Sequence, residues 1–139
     1  MNIILDTDVL VAGLLTPTGH CGEIVRMVSS GELTLSFDAR ILSEYQEVLL
    51  RPKFRFKKDS VIALLEYIRH SGTVVASSPL PHSLPHQDDE PFLQAAIAGQ
   101  AVCLVTGNHS HFPLKLCCGV KALSPNDFLS FYKSHKTKR

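Results

Sequence analysis

Acidic side chains lie at separate places in this 139-residue chain, each beside an apolar segment. Asp6 directly follows the apolar run 2–5, where a charge costs free energy unless it is paired or binds a cation. The alternative is that Asp6 caps the helix that follows, although Asp8 is better placed for that role. Taken alone, Asp6 is better explained by capping.

Glu44 lies in a segment with the periodicity of an amphipathic helix. The apolar stripe of this helix consists of Ile41, Leu42, Tyr45, Val48 and Leu49. Glu44 comes three residues after Ile41 and four before Val48, so it borders the core-facing side, whereas Glu47 points further toward solvent. Either a bound cation explains an acid in this place, or its stem packs while its carboxylate reaches water.

A third group of acids, Asp88, Asp89 and Glu90, opens an Ala-rich helix, and Asn108 follows the apolar run 101–105. The helix dipole favours acids at its N-terminus, but three adjacent carboxylates repel one another without a counter-ion. Mg²⁺ and Mn²⁺ are hard cations that prefer oxygen ligands. Together with Asp6 and Glu44, these residues therefore predict a magnesium-type site.

The elements that must position these residues alternate along the chain. Apolar runs predict strands over 2–5, 32–37, 73–76, 101–105 and 119–123. Helical periodicity predicts helices over 9–15, 20–30, 39–50, 59–70 and 89–99, and a last one opened by Ser124-Pro125, with Asp38 as the cap of the third. Such alternation predicts a single-domain α/β/α sandwich with a mostly parallel, four- to five-stranded sheet. Ligands bind beyond the carboxyl ends of such strands, where Asp6 and Asn108 lie.

Length and composition fit one domain, expected over 1–132, with a basic, flexible tail over 133–139. The net charge of +1 favours no partner, so nucleic acid would be bound by local clusters. In one segment the basic residues Arg51, Lys53, Arg55 and Lys57 alternate with two phenylalanines. Such a segment contacts phosphates and bases, or is a solvated connector whose rings pack in the core. With no signal peptide or apolar membrane span, a cytoplasmic protein is expected.

Several stretches of the chain resemble the PIN-domain family, specifically its small bacterial VapC-like branch, the toxins of toxin–antitoxin pairs. The resembling stretches run in family order and are 3–12, 42–49, 51–54, 88–93, 104–108 with 111–113, and 123–125 with 128–129. The resemblance implies an endonuclease of single-stranded RNA that uses Mg²⁺ or Mn²⁺. It also implies a small antitoxin as partner and a homodimer.

The resemblance further implies a role for each candidate site residue. Asp6 would be the first metal ligand, Glu44 the second acid and Asp89 the third, with Asp88 and Glu90 as alternative registers. The fourth position is often Asp in the family but is Asn108 here, which brings no negative charge. The residues expected to support the ligands are Thr7, Asp8, Glu90 and Thr106, and Asp8 stands where the family frequently has Asn. His109 and His111, just beyond Asn108, are interpreted as surface histidines of a turn.

Two other functions compete with the nuclease. Asp6-Thr7-Asp8-Val9 resembles the Asp-x-Asp motif of haloacid-dehalogenase phosphatases, in which the first Asp attacks phosphorus and the second is an acid or base. That family also needs a Lys beyond a later strand, and no suitable Lys occurs here. Alternatively, Asn108 marks a PIN domain that binds RNA or a protein without cutting.

Overall fold

Five parallel strands form the central sheet of the computed structural model, which describes residues 1–137. The strands are β1 (Asn2–Leu5), β2 (Thr34–Phe37), β3 (Thr73–Val74), β4 (Cys103–Val105) and β5 (Ala122–Leu123). Their order across the sheet is β3-β2-β1-β4-β5. β1 is central and fully buried at Ile3, Ile4 and Leu5, which explains its continuous apolar run. All strands except β1 are shorter than predicted, and the two at the edges of the sheet, β3 and β5, have two residues each.

Six α-helices flank the sheet, which confirms the predicted single-domain α/β/α fold. They are α1 (Thr7–Leu15), α2 (His20–Ser29), α3 (Ala39–Leu49), α4 (Lys58–Ser71), α5 (Glu90–Ala98) and α6 (Pro125–Thr137). The predicted caps of α3 and α6 are confirmed, whereas the side chain of Asp6, at the N-cap position of α1, makes no capping hydrogen bond. Asp38 accepts hydrogen bonds from the backbone N–H groups of Arg40 and Ile41, and Ser124 accepts one from that of Asp127.

The last helix extends further than the sequence suggested. α6 continues to Thr137, so residues 133–137 of the expected tail are helical, which corrects the expected secondary structure there. Phe128 and Leu129 are buried on this helix, and no proline or glycine follows that would end it at 132. Residues 138 and 139 of the expected tail lie outside the described residues. Among the helices of residues 1–137, none is both long and apolar enough to cross a lipid bilayer.

Candidate active site

The carboxyl ends of β1 and β4 meet at one edge of the sheet. Leu5 and Val105 are paired in register, and the backbone N–H of Asp6 donates to the carbonyl of Val105 at 2.9 Å. The next side chains, Asp6 and Thr106, are therefore neighbours, and the Thr106 hydroxyl donates to Oδ2 of Asp6 at 2.7 Å. The residues that follow β1 and β4 are thus neighbours, as expected for two parallel strands that pair.

Asp6 is buried, with 6% of its surface exposed. Burial, followed by the negative charge of Asp8, raises the pKa of Asp6 from 3.8 to about 7. The charge of Asp89 raises this pKa further, whereas the hydrogen bond from Thr106 lowers it. Burial and the neighbouring negative charges therefore both oppose ionisation of Asp6, and a bound cation would favour it.

Asp8 projects from the first turn of α1 toward the turn that follows β4. The Asn108 amide Nδ2 donates to Oδ2 of Asp8 at 3.0 Å, and the Gly107 N–H lies 3.5 Å from Oδ1. Burial raises the pKa of Asp8, against the lowering effect of the Gly107 hydrogen bond. The charge of Asp89 also raises this pKa, so Asp8 belongs to the same acidic cluster as Asp6 and Asp89.

Glu44 reaches this edge from α3. The Thr7 hydroxyl donates to the Glu44 carboxylate, and the neighbouring Tyr45 hydroxyl donates to the carbonyl of Leu5. Tyr45 is fully buried, and burial followed by the charges of Asp6 and Glu44 raises its pKa above the usual range. Because both acids act on one hydroxyl at the end of β1, the structure brings Glu44 to the side of Asp6.

The acids at the start of α5 have three different environments. The charge of Asp89 acts on Asp6 and Asp8, and its Oδ2 lies 3.0 Å from Nδ1 of His111. Asp88 is exposed. Glu90 accepts a hydrogen bond from the backbone N–H of Leu84 at 2.9 Å and so holds the loop between β3 and α5, which contains three prolines. Of the three alternative registers, Asp89 is therefore the acid that joins Asp6 and Asp8.

His111 is the site residue that the sequence interpretation missed. The sequence predicts a surface histidine here, but His111 contacts Asp89, and its ring stacks on that of His86 with centroids 4.0 Å apart. Its position three residues beyond Asn108, in the loop that leaves the same strand end, was the signal available in the sequence. His109 is exposed.

The chemistry of these side chains fits a magnesium-type ion, because Asp6, Asp8, Glu44 and Asp89 offer carboxylate oxygens. The salt bridges that arginines form within residues 1–137 go to other acids, namely Asp38, Glu47 and Glu66. Each of the four acids has a donor or histidine partner instead. In the described part of the chain, no three His, Cys, Asp or Glu side chains are arranged to hold one ion together. Binding of one ion between these acids would therefore require their side chains to move closer together.

The basic segment after α3 is partly neutralised. Arg51 forms a salt bridge with Glu47 at 2.9 Å, and the Lys53 Nζ lies 5.1 Å from the centre of the Phe54 ring. Phe54 and Phe56 stack on each other and pack, half-buried, against the core, as the connector interpretation holds. Arg55 and Lys57 are exposed. RNA binding by this segment stays a prediction.

Comparison with known proteins assigns the family. The profile described as PIN domain matches residues 2–110, most of the chain. The chain belongs to the PIN-domain family. A chain in the crystal structure of VapBC2 from Rickettsia felis bound to a DNA fragment from their promoter is similar to this PIN domain, with a TM-score of 0.56 and 16% identity. The alignment covers 89% of this chain and 98% of that one, and it supports the same fold. No curated protein matches this PIN domain.

The family assignment decides against the phosphatase interpretation of Asp6 and Asp8. A nucleophilic Asp must approach a phosphorus atom with a free oxygen. Asp6, the nucleophile in that interpretation, is buried, and one of its two oxygens accepts the hydrogen bond from Thr106, which restricts such an approach. This environment of Asp6 agrees with the family assignment.

Proposed function

We propose that this PIN domain is an endoribonuclease that hydrolyses phosphodiester bonds of single-stranded RNA with Mg²⁺ or Mn²⁺. The observation that carries this proposal is the set of acids at the carboxyl edge of the sheet: Asp6, Glu44 and Asp89 come from three elements far apart in sequence. Buried Asp6, with the charges of Asp8 and Asp89 acting on it, supplies the strongest attraction for a cation.

Some of these residues would bind the cation, and others would position the residues that bind it. When bound, a divalent cation lowers the pKa of a water molecule and stabilises charge on the phosphate. Asp6, Glu44 and Asp89 would hold that cation. The hydroxyls of Thr106 and Thr7 orient Asp6 and Glu44 through the hydrogen bonds described above. Asn108 is the fourth proposed position and can contribute its amide oxygen.

Cleavage of a labelled single-stranded RNA in the presence of Mn²⁺ tests this function. We expect wild-type protein to cut and chelator to stop it. Asp6→Asn should lower the rate by about 100-fold or more, since a metal contributes several kcal/mol of charge stabilisation. Asp59→Asn, an acid-to-amide change at an exposed position of α4, is the matched control and should cut like wild type. Equal cutting by Asp6→Asn and wild type would refute the proposal.

We further propose that the protein acts in the cytoplasm as the toxin of a toxin–antitoxin pair, as a homodimer that a small antitoxin protein inhibits. The support is the fold shared with a chain of a VapBC2 structure, together with the sequence resemblance to the toxin branch. Expression of the protein should arrest growth, and co-expression of the adjacent reading frame should relieve the arrest. Growth arrest by Asp6→Asn as strong as that by wild type would argue against toxicity through RNA cleavage.

A second candidate function is binding of RNA or protein without cleavage. One observation favours it: Asn108, at the fourth proposed position, brings no negative charge to the site. RNA that binds the wild-type protein but stays intact with Mn²⁺ would establish this alternative.

A further inference from the structure

Asp8 lies in a cradle formed by the turn after β4. Its carboxylate faces two neutral donors, the Asn108 amide at 3.0 Å and the Gly107 N–H at 3.5 Å. A Cβ atom added at Gly107 would lie 2.5 Å from Oδ2 of Asp8, closer than real Cβ atoms come to other atoms. Only glycine at position 107 therefore lets the Asp8 carboxylate sit where it does.

The same turn also holds Asp6. The backbone N–H of Asn108 donates to the Thr106 hydroxyl at 3.0 Å, and that hydroxyl donates to Asp6 at 2.7 Å. Hydrogen bonds thus run continuously from Asp8 through Asn108 and Thr106 to Asp6. The turn therefore fixes the carboxylate of Asp6, at the N-cap of α1, relative to that of Asp8, in the first turn of α1, although their negative charges repel.

The two donors of this cradle, Asn108 and Gly107, are neutral, so neither cancels the negative charge of ionised Asp8. The positive charge that acts on Asp8 comes from His111, outside the cradle, and lowers its pKa. Asn108 donates its amide N–H to Asp8 and carries no charge itself. Asp8 accepts at both of its oxygens, so an amide at position 8, with a single acceptor oxygen and no charge, could keep only one of these hydrogen bonds. The charge itself is the property that a cation would use.

We propose that Asp8 is a metal ligand, the fourth carboxylate of the site, and that Gly107 and Asn108 are positioning residues that hold it toward the ion. This inference rests on the proposed metal-dependent function. It assigns Asp8 a direct role instead of the supporting one expected from the sequence. Asp8 and Asn108 then act as one acid–amide pair, in which the charge and the hydrogen-bond donor face each other.

Binding of Mn²⁺ to the full-length, metal-stripped protein, measured by calorimetry, tests this assignment without any RNA. Asp8→Asn should weaken binding by about tenfold or more, as even indirect ligand-orienting residues contribute about 10- to 100-fold. Reversing the pair, with Asp8→Asn and Asn108→Asp together, should restore the affinity to within about threefold of wild type. Gly107→Ala should weaken binding too, because its Cβ displaces the Asp8 carboxylate.

Gly19→Ala is the matched control, since a Cβ there meets its nearest atom at an ordinary 3.6 Å and should leave binding unchanged. Thermal melting without metal identifies any variant that fails to fold, and Gly107→Ala and the reversed pair then provide independent tests.

The outcomes separate this inference from the proposed function. If Asp6→Asn loses Mn²⁺ binding while Asp8→Asn binds like wild type, Asp8 is only an acid at a helix start and the inference is overturned. A reversed pair that binds no more tightly than Asp8→Asn alone also overturns it. If wild type and Asp6→Asn bind Mn²⁺ equally or not at all, the metal-dependent function fails as well.

Discussion

Replacement of Asp6 by asparagine should stabilise the metal-free protein, and more so as the pH rises. The pKa of Asp6 is raised from 3.8 to about 7 in the folded chain, so folding favours its protonated form. The contribution of protonated Asp6 to the free energy of unfolding is therefore lost as the pH rises from about 4 to about 7. Ionisation of folded Asp6 above this window costs about 4 kcal/mol of stability. An asparagine keeps an acceptor for Thr106 and has no charge to desolvate.

Urea denaturation followed by far-ultraviolet circular dichroism, with chelator present, measures this effect. The stability advantage of Asp6→Asn over wild type should grow by about 2.5 kcal/mol between pH 5 and pH 8, because most of the titration of Asp6 falls in that interval. Asp59→Asn, at an exposed position, should show no such growth. A constant difference between Asp6→Asn and wild type at both pH values would refute the environment assigned to Asp6.

Three further predictions concern packing and the RNA surface. Gly22→Ala should destabilise the fold by about 2–3 kcal/mol in urea denaturation, since its Cβ would lie 2.1 Å from the carbonyl oxygen of Pro17. A loss of less than about 0.5 kcal/mol, which is typical of a substitution at the surface, would contradict this. Tyr45→Phe should cost about 1–2 kcal/mol because the buried hydrogen bond to Leu5 is lost, and unchanged stability would argue against that bond. Lys57→Ala should lower the slope of log affinity for single-stranded RNA against log salt by about 0.7, and an unchanged slope would remove this exposed residue from the RNA surface.

The sequence contained most of the information needed for the fold. Continuous apolar runs identified the buried strands β1 and β4, helical periodicity identified the first five helices, and the start signal Ser124-Pro125 identified the last. These signals are local, because a buried strand or an amphipathic helix repeats its pattern within a few residues. The order of the strands and the short edge strands depend on packing between distant segments, so the sequence predicted a parallel sheet without its order. Continuation of α6 to Thr137 was missed because a run of basic residues resembles a solvated tail.

The candidate site was predicted less completely than the fold. Acids that end a strand or border a helical stripe stood out, since a charge in such a place needs an explanation. The contacts that orient them join residues far apart in the chain: Asp8 and Asn108 are 100 residues apart, and Asp89 and His111 are 22 apart. No local pattern specifies such partners. Only the folded chain could therefore separate Asp89 from Asp88 and Glu90, which have different neighbours.

Anomalous diffraction at the manganese edge, from crystals of the protein soaked in MnCl₂, tests the central claim most directly. We expect one strong peak at the carboxyl edge of the sheet, within coordination distance of the carboxylates of Asp6 and Asp89 and close to Glu44. The same soak of Asp6→Asn crystals should show no peak there. If wild-type crystals show a manganese peak only elsewhere, or no peak near Asp6, Glu44 and Asp89, the result would contradict a metal site built from these acids.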